Sequence, residues 1–460
     1  MFRSFVLMLL LGFTSISKWV IQFKREEILA YLCGWEPGDI PGVGTFYDFQ
    51  DRVQDGPYQK PCSHREKPSK IDKGRHIRNL KEEKIKPDDD PDKNEPVTMK
   101  LAKFLLSTAD EPRPQDLHKM LEDILMELGV KPSAEKGLLG DLKKLDVVGD
   151  SSCLPSGSNS SGKSTCNCLK EKGTRKCDCP RSYTDRTSNW GWDPYHEVFY
   201  FGDRFYQHLF AGNKHDLPLH VSLGPASEVD YTLCPKDFDR MLKTFREHNF
   251  HVNITGAGYD KGVDAMGDYF YFMEKNIPVA IPLNKRRAKN LKDGNLNLSS
   301  NAIPLCKAGK EMRRHYFKKE QMSHVYCCPI KRGSRKNGEF RYVTHREECP
   351  LDTLCEPDAT LAPTVQVCTK DNPRFYPVIP RGSKRYKKLA KERTGTERSN
   401  SFKKWAYSFD KAQLKSRAHR LIRLHLLAVI EHRKAMFKEE TRGLSKDKIV
   451  QLALKNMEIN

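Results

Sequence analysis

No run near the start of this 460-residue sequence is both apolar and long enough to cross a bilayer. The uncharged stretch from Ser4 to Ser17 has 14 residues, where a spanning helix needs about 20. It imitates a secretory leader, but no small-residue cleavage site follows, and the pattern runs on through KREEILAYLCGWEPGDIPGVGTFYDFQDRV as helix, turn and helix. A buried helical module to about residue 55 is therefore expected, with no membrane anchor. Cysteines at the wide spacing of an oxidised framework are missing too. The 14 cysteines include tight pairs such as CNC and CDC, which fits a reducing, cytoplasmic setting. Internal repeats are absent. Acidic residues are in deficit, 60 against 80 Lys and Arg, for a net charge of +20. The surplus is spread through most segments, as in a chain that handles a polyanion, and nucleic acid is the leading partner. The bland alternative is a solvated basic surface.

The length allows two or three domains. From Gln59 to Val97 the sequence is polar and charged, ending in KPDDDPDKNEP, and reads as a linker. Helical spacing follows in MKLAKFLLSTA and PQDLHKMLEDILMELGV. The period then shifts. LDVVGD, EVFYFGDRFYQHLF, LPLHVSL, HVNIT and IPVAIPLN are β-prone runs, with helical patterns between or beside them. This predicts an α/β core, a mixed sheet covered by helices. A Lys/Arg-rich section from Lys285 to Arg381, with few helical patterns, reads as a strand-rich insertion, and two long helices are predicted beyond it.

Residues Gly157 to Ser164, GSNSSGKS, match the phosphate-loop pattern letter for letter. That loop works only between a buried strand and a helix, so that amides and the helix N-terminus converge on phosphate. LDVV ends too early, and TCNCLKEKGTRKCDCP is a poor helix. A P-loop NTPase using Lys163 is the weaker enzymatic alternative. Cys166, Cys168, Cys177 and Cys179 form two C-x-C pairs that could close a tetrahedral zinc site or remain free thiols. A second set, Cys306, Cys327, Cys328, Cys349, Cys355 and Cys368, is irregularly spaced.

Three acids have the positions that metal-dependent chemistry needs. Asp150 follows LDVVG, Asp260 follows HVNITGAGY, and Glu397 lies on a late helix. An oxygen-rich pocket of this kind suits two magnesium or manganese ions, which activate a water or sugar hydroxyl at a phosphodiester. The alternative is that Asp150 and Asp260 cap local structure while Glu397 pairs with Arg393. At roughly 100° per residue, Arg393, Glu397 and Lys404 fall within about 40° of one another on a helix. Trp190, Trp192 and Trp405 are either packing residues or stacking platforms for bases. A zinc-stabilised DNA-binding protein without catalysis is the non-enzymatic alternative.

The segments VVGDSSCLPSG, KSTCNCLKEKGTRKCDCPRSYTDRTSNWGWDPYHEVFYFG, GYDKGVDAMGDYFYF, IPVAIPLN, PLCKAGKEM, YCCP and KERTGTERSNSFKKWAY resemble the DDE transposases of bacterial insertion sequences. The likeness is to the branch with a long insertion between the second Asp and the Glu, and it covers nearly the whole chain. It implies an α/β, ribonuclease-H-like mixed sheet flanked by helices, with a β-rich insertion and an N-terminal helical domain. The divisions are a DNA-end-binding helical region 1–58, a linker 59–97, a helical connector 98–140, a catalytic core 141–284 and 381–440 interrupted by the insertion 285–380, and a tail 441–460. It makes Asp150, Asp260 and Glu397 the catalytic ligands of two Mg or Mn ions, and assigns Arg393 and Lys404 to terminal DNA phosphates. It also implies a nucleoid-associated homodimer on paired element ends, joining them to target DNA. The family's Tyr position is Ala390 here; Tyr386 shares the face of Arg393 if one helix runs through both. Asp264, four residues after Asp260, reads as a supporting acid.

Overall fold

A computed structural model describes residues 1–53, 95–174, 177, 179, 181–212, 214–284, 291–330, 332–336, 339–343, 349, 355, 363–411 and 414–451. Most of the expected linker 59–97, residues 452–460 of the tail and parts of the insertion lie outside these. The chain forms two compact units: Met1–Asp90, Ala109–Ile254 and Arg393–Asn460 make the first, Pro91–Thr108 and Thr255–Glu392 the second.

The leader-like run becomes a short helix in the first unit that buries one face, through Ser4, Phe5, Met8 and Leu9. Helix Phe2–Leu10 ends where Gly12 takes φ 77°, a conformation costly for any residue with a Cβ. Ser15 then caps Ile16–Arg25, its hydroxyl accepting from the Lys18 amide at 3.4 Å. Trp19 on this second helix is fully buried, donates Nε1–H to Ser4 Oγ at 2.9 Å and stacks on Phe23 at 5.1 Å. Helices Glu27–Cys33 and Val43–Val53 complete the module. Among the described residues no helix is long and apolar enough to cross a membrane.

The rest of this unit is an antiparallel meander. Strand Leu145–Pro155 pairs with Val198–Phe210, which also pairs with Pro218–Pro225, while Asn189–Asp193 joins the start of Val198–Phe210. Alternation along Val198–Phe210 separates two covering layers. Asp203, Phe205 and Gln207 meet Arg420, Phe409 and Asn400 on one face. Arg204 and His208 meet Asp230 and Phe238, of helix Asp230–Glu247, on the other. Helix Arg417–Glu440 is buried over most of its circumference, as an almost continuous core helix must be.

In the second unit, the strand Ile254–Gly258 pairs in parallel with Val279–Ala280, and helix Met266–Glu274 makes the crossover that parallel strands require. Helix Val97–Ser107 approaches this crossover so closely that a Cβ on Gly267 would lie 2.2 Å from the Thr98 carbonyl oxygen. Beyond come an antiparallel sheet, Arg313–Lys318, Ser323–Cys327 and Thr364–Cys368, and the hairpin Arg332–Lys336/Glu339–Val343. Leu283, Leu298, Met312, Tyr326 and Tyr376 form its core. The fold is thus mixed α/β, with antiparallel and parallel strand pairs flanked by helices.

The predicted long helix after residue 381 is divided. Lys384–Glu392 belongs to the second unit and Thr394–Tyr407 to the first, with Arg393 between them. Gly395 and the β-branched Thr394 and Thr396 weaken the helix there, and Thr396 Oγ1 donates to the Arg393 carbonyl at 2.6 Å. Tyr386 packs instead on Ala280, Ile379 and Leu389 within the second unit.

Candidate active site

Asp150 lies in the middle of strand Leu145–Pro155, directly across from Gln207. Its Oδ1 accepts the Ser151 amide at 2.9 Å. Its Oδ2 lies 3.4 Å from Arg393 Nη1, and Nη2 of the same guanidinium donates to Glu397 Oε1 at 2.9 Å. One cation therefore gathers two carboxylates 247 residues apart in sequence (397 − 150). Asp150 is half-buried while the Glu397 side chain is 55 % exposed. The Arg393–Glu397 pair expected of a surface helix is present, and it also reaches the strand.

A buried polar network seats the Glu397 helix on this strand pair. Gln207 Nε2 donates to the Thr396 carbonyl at 3.2 Å and to Asn400 Oδ1 at 2.6 Å. Lys403, fully buried, donates to Gln207 Oε1 at 2.8 Å, Ser399 Oγ at 2.7 Å and Glu431 Oε2 at 2.8 Å. Burial draws the Lys403 ammonium down and the Glu431 carboxyl up, and their contact offsets both shifts. The sequence offered no sign of this: Lys403 stands beside half-buried Lys404 in FKKW, and nothing local distinguishes them.

On the outward side of the same helix, Glu397, Arg398, Phe402 and Trp405 line a shallow groove, with Trp405 85 % exposed. Trp190 packs edge-on against Phe201 at 5.7 Å, and partly exposed Trp192 against Phe199 at 4.8 Å.

Asp260 and Asp264 lie in the second unit in different surroundings. Asp260 precedes the turn Lys261–Val263, and its carbonyl accepts the Val263 amide at 3.0 Å. Asp264 is held on both oxygens, by Arg374 Nε at 3.0 Å and Nη2 at 2.7 Å, with Tyr269 Oη at 3.2 Å and the Asn284 amide at 2.8 Å. A carboxylate so engaged is a structural anchor. Asp260 is the half-buried acid of the two.

The phosphate-loop letters do not form a phosphate loop. Lys163 and Ser164 pair with Ser182 and Arg181 in a short ladder, and no helix opens directly after them. Among the described residues, metal-competent donors converge within 4.8 Å in two groups: Cys166, Cys168, Cys177 and Cys179, and His118, Glu122 and His220. Of the second cysteine set, Cys306, Cys328, Cys349 and Cys355 line one cavity without their donors converging within 4.8 Å. Cys327 Sγ instead donates to the Arg313 carbonyl, and Cys368 Sγ to that of Gln321.

No family model matches the chain, and no curated protein matches it. Among solved structures it has a slight likeness to the crystal structure of the Mos1 mariner paired end complex with Mn. The identity is 12 % and the TM-score 0.16, over 60 % of this chain and 76 % of that one.

Proposed function

We propose that the chain is a DDE transposase with a ribonuclease-H-like core, cutting the ends of a mobile element and joining them to target DNA. The observation that carries this reading is the meeting of Asp150 and Glu397 on the single guanidinium of Arg393. A site that holds one cation between two carboxylates has the charge and oxygen donors that divalent ions require, so the residues fit Mg or Mn. Asp150 and Glu397 would hold them, with Asp260 the third ligand that the resemblance to the DDE transposases implies. Divalent ions there supply Lewis-acid activation of the attacking oxygen and stabilisation of the leaving one.

In this reading Arg393 exchanges partners: released from the carboxylates, its planar fork is free for a terminal phosphate, with Lys404 along the same helix face. Trp405 offers an open aromatic surface beside them. The net charge of +20 favours DNA as partner. Paired ends call for a dimer.

The test is strand nicking of DNA carrying the element's own ends, with Mg or Mn added. The intact chain nicks it. Asp150→Ala, Asp260→Ala and Glu397→Ala each abolish nicking while retaining binding in a gel-shift assay. Undiminished nicking by any of the three overturns the assignment, and an intact chain that binds the ends without ever cutting them is a non-catalytic DNA-binding protein.

A further inference from the structure

Between Lys163 and Ser182 the chain draws four sulfurs together. Its base is a two-rung ladder, Lys163↔Ser182 and Ser164↔Arg181, and within it stands one five-residue helix, Cys168–Lys172. Cys168 is the one buried side chain among the described residues of this stretch. A two-stranded ribbon of this size, without an apolar core, does not order itself.

The base is nevertheless fixed. Arg420, buried in the first unit, donates to Ser156 Oγ at 2.9 Å on the outgoing chain and to Asp185 Oδ2 at 2.8 Å on the returning one. One guanidinium thus clamps both feet of the excursion. At its far end Cys166 and Cys177 have their sulfurs 3.4 Å apart, Cys168 and Cys179 theirs 3.6 Å apart, and all four lie within 4.8 Å. Four thiolates about 2.3 Å from a tetrahedral ion stand about 3.8 Å from one another. The Ser164 hydroxyl stands 3.2 Å from Cys166 Sγ, within hydrogen-bonding reach of a ligand sulfur.

The other convergent donor group lacks this character. The Glu122 carboxylate already accepts Arg240 Nε at 2.6 Å and Arg113 Nη1 at 2.7 Å, so two guanidinium charges face the space a metal would need. Burial lowers His118 to about 3, and the group is a packed, neutral-histidine core.

The outside of the cysteine segment is basic. Between Lys163 and Arg181 there are six Lys or Arg against two acids, Glu171 and Asp178, and Lys163, Lys170 and Lys172 are exposed. We propose that a zinc ion held by Cys166, Cys168, Cys177 and Cys179 folds this segment into a rigid basic tip that grips a DNA backbone. The DNA half rests on the reading of the chain as a DNA-processing enzyme, and the metal half does not.

Metal analysis of the purified full-length chain tests the first half. One zinc per chain is expected, and Cys166→Ser/Cys177→Ser loses it while keeping the helical circular dichroism of the whole. The variant is then cut by trypsin within residues 163–182 at rates the intact chain resists. Absence of zinc from the intact chain, or equal resistance in the variant, overturns the metal site. The second half is tested by salt titration on a random-sequence duplex with Lys170→Gln/Lys172→Gln. Each phosphate contact contributes about 0.9 to the slope of log K against log salt, so the slope becomes shallower by about 2; an unchanged slope refutes the grip. A chain that binds zinc and shows this change but never nicks its ends sinks the proposed enzyme and leaves the tip. A chain that nicks but holds no zinc does the reverse.

Discussion

Lys403→Met tests whether the helix that carries Glu397 is seated by a buried ion pair. Lys403 is fully buried and makes hydrogen bonds of 2.8, 2.7 and 2.8 Å to Gln207, Ser399 and Glu431. Removing the ammonium leaves Glu431, itself buried, without its counter-charge. Breaking a buried pair in this way costs about 3–5 kcal/mol, whereas replacing both partners by apolar groups is close to neutral. Lys403→Met alone should therefore lose about 3–5 kcal/mol, and Lys403→Met/Glu431→Leu should regain most of it. Burial already raises the Glu431 carboxyl, and without Lys403 the Ser399 hydroxyl is left as the weaker opposition to that rise. The native state of the single variant then binds a proton that the unfolded chain releases. Its deficit is largest at neutral pH and shrinks as pH falls. All five tryptophans, Trp19, Trp35, Trp190, Trp192 and Trp405, belong to the first unit, so fluorescence during urea unfolding reports that unit alone. A single variant within 1 kcal/mol of the parent, or a double variant as weak as the single, would refute the reasoning.

Other outcomes follow from the same surroundings. Burial pushes Asp237 up to about 7 from the ordinary 3.8, so the native state keeps a proton that the unfolded chain gives up. Stability should fall as pH rises from about 4 to 7, by on the order of 4 kcal/mol at about 1.4 kcal/mol per tenfold. Asp237→Asn should flatten that dependence in urea titrations at pH 5 and 8, and an unchanged dependence contradicts the assignment. Gly267→Ala would drive a Cβ to 2.2 Å from a backbone oxygen that has no rotamer to yield. A loss of about 1–3 kcal/mol is expected, read as faster amide exchange along Val97–Ser107; exchange as slow as in the parent would show that the helices part without cost.

Much of the fold was legible because its signals are local. The β-prone runs around LDVVGD, EVFYFGDRFYQHLF and LPLHVSL became the three strands of the meander, since alternation of side chains across a sheet writes a period of two into the sequence. The leader-like start read as a buried helix because its apolar pattern continued past Gly12 and Ser15. The continuous helix predicted after residue 381 is instead divided at Arg393, because Gly395 and two β-branched threonines lower the helical preference there. Periodicity also misses the inner face of Thr394–Tyr407, because Thr396, Ser399, Asn400 and Lys403 are polar and their burial depends on partners elsewhere.

The sequence by itself determined the excess of positive charge, the succession of helices and strands, and the positions of the acids and cysteine pairs along the chain. Only the tertiary structure decided which of these groups meet. It brought Asp150 to Arg393 across 243 residues, engaged both oxygens of Asp264, chose Lys403 over Lys404 for the interior, and drew four sulfurs within 4.8 Å. The reason is physical: a spacing of two or four residues follows from the geometry of one strand or helix. A contact across hundreds of residues follows from how separate elements pack, which no single stretch of chain encodes.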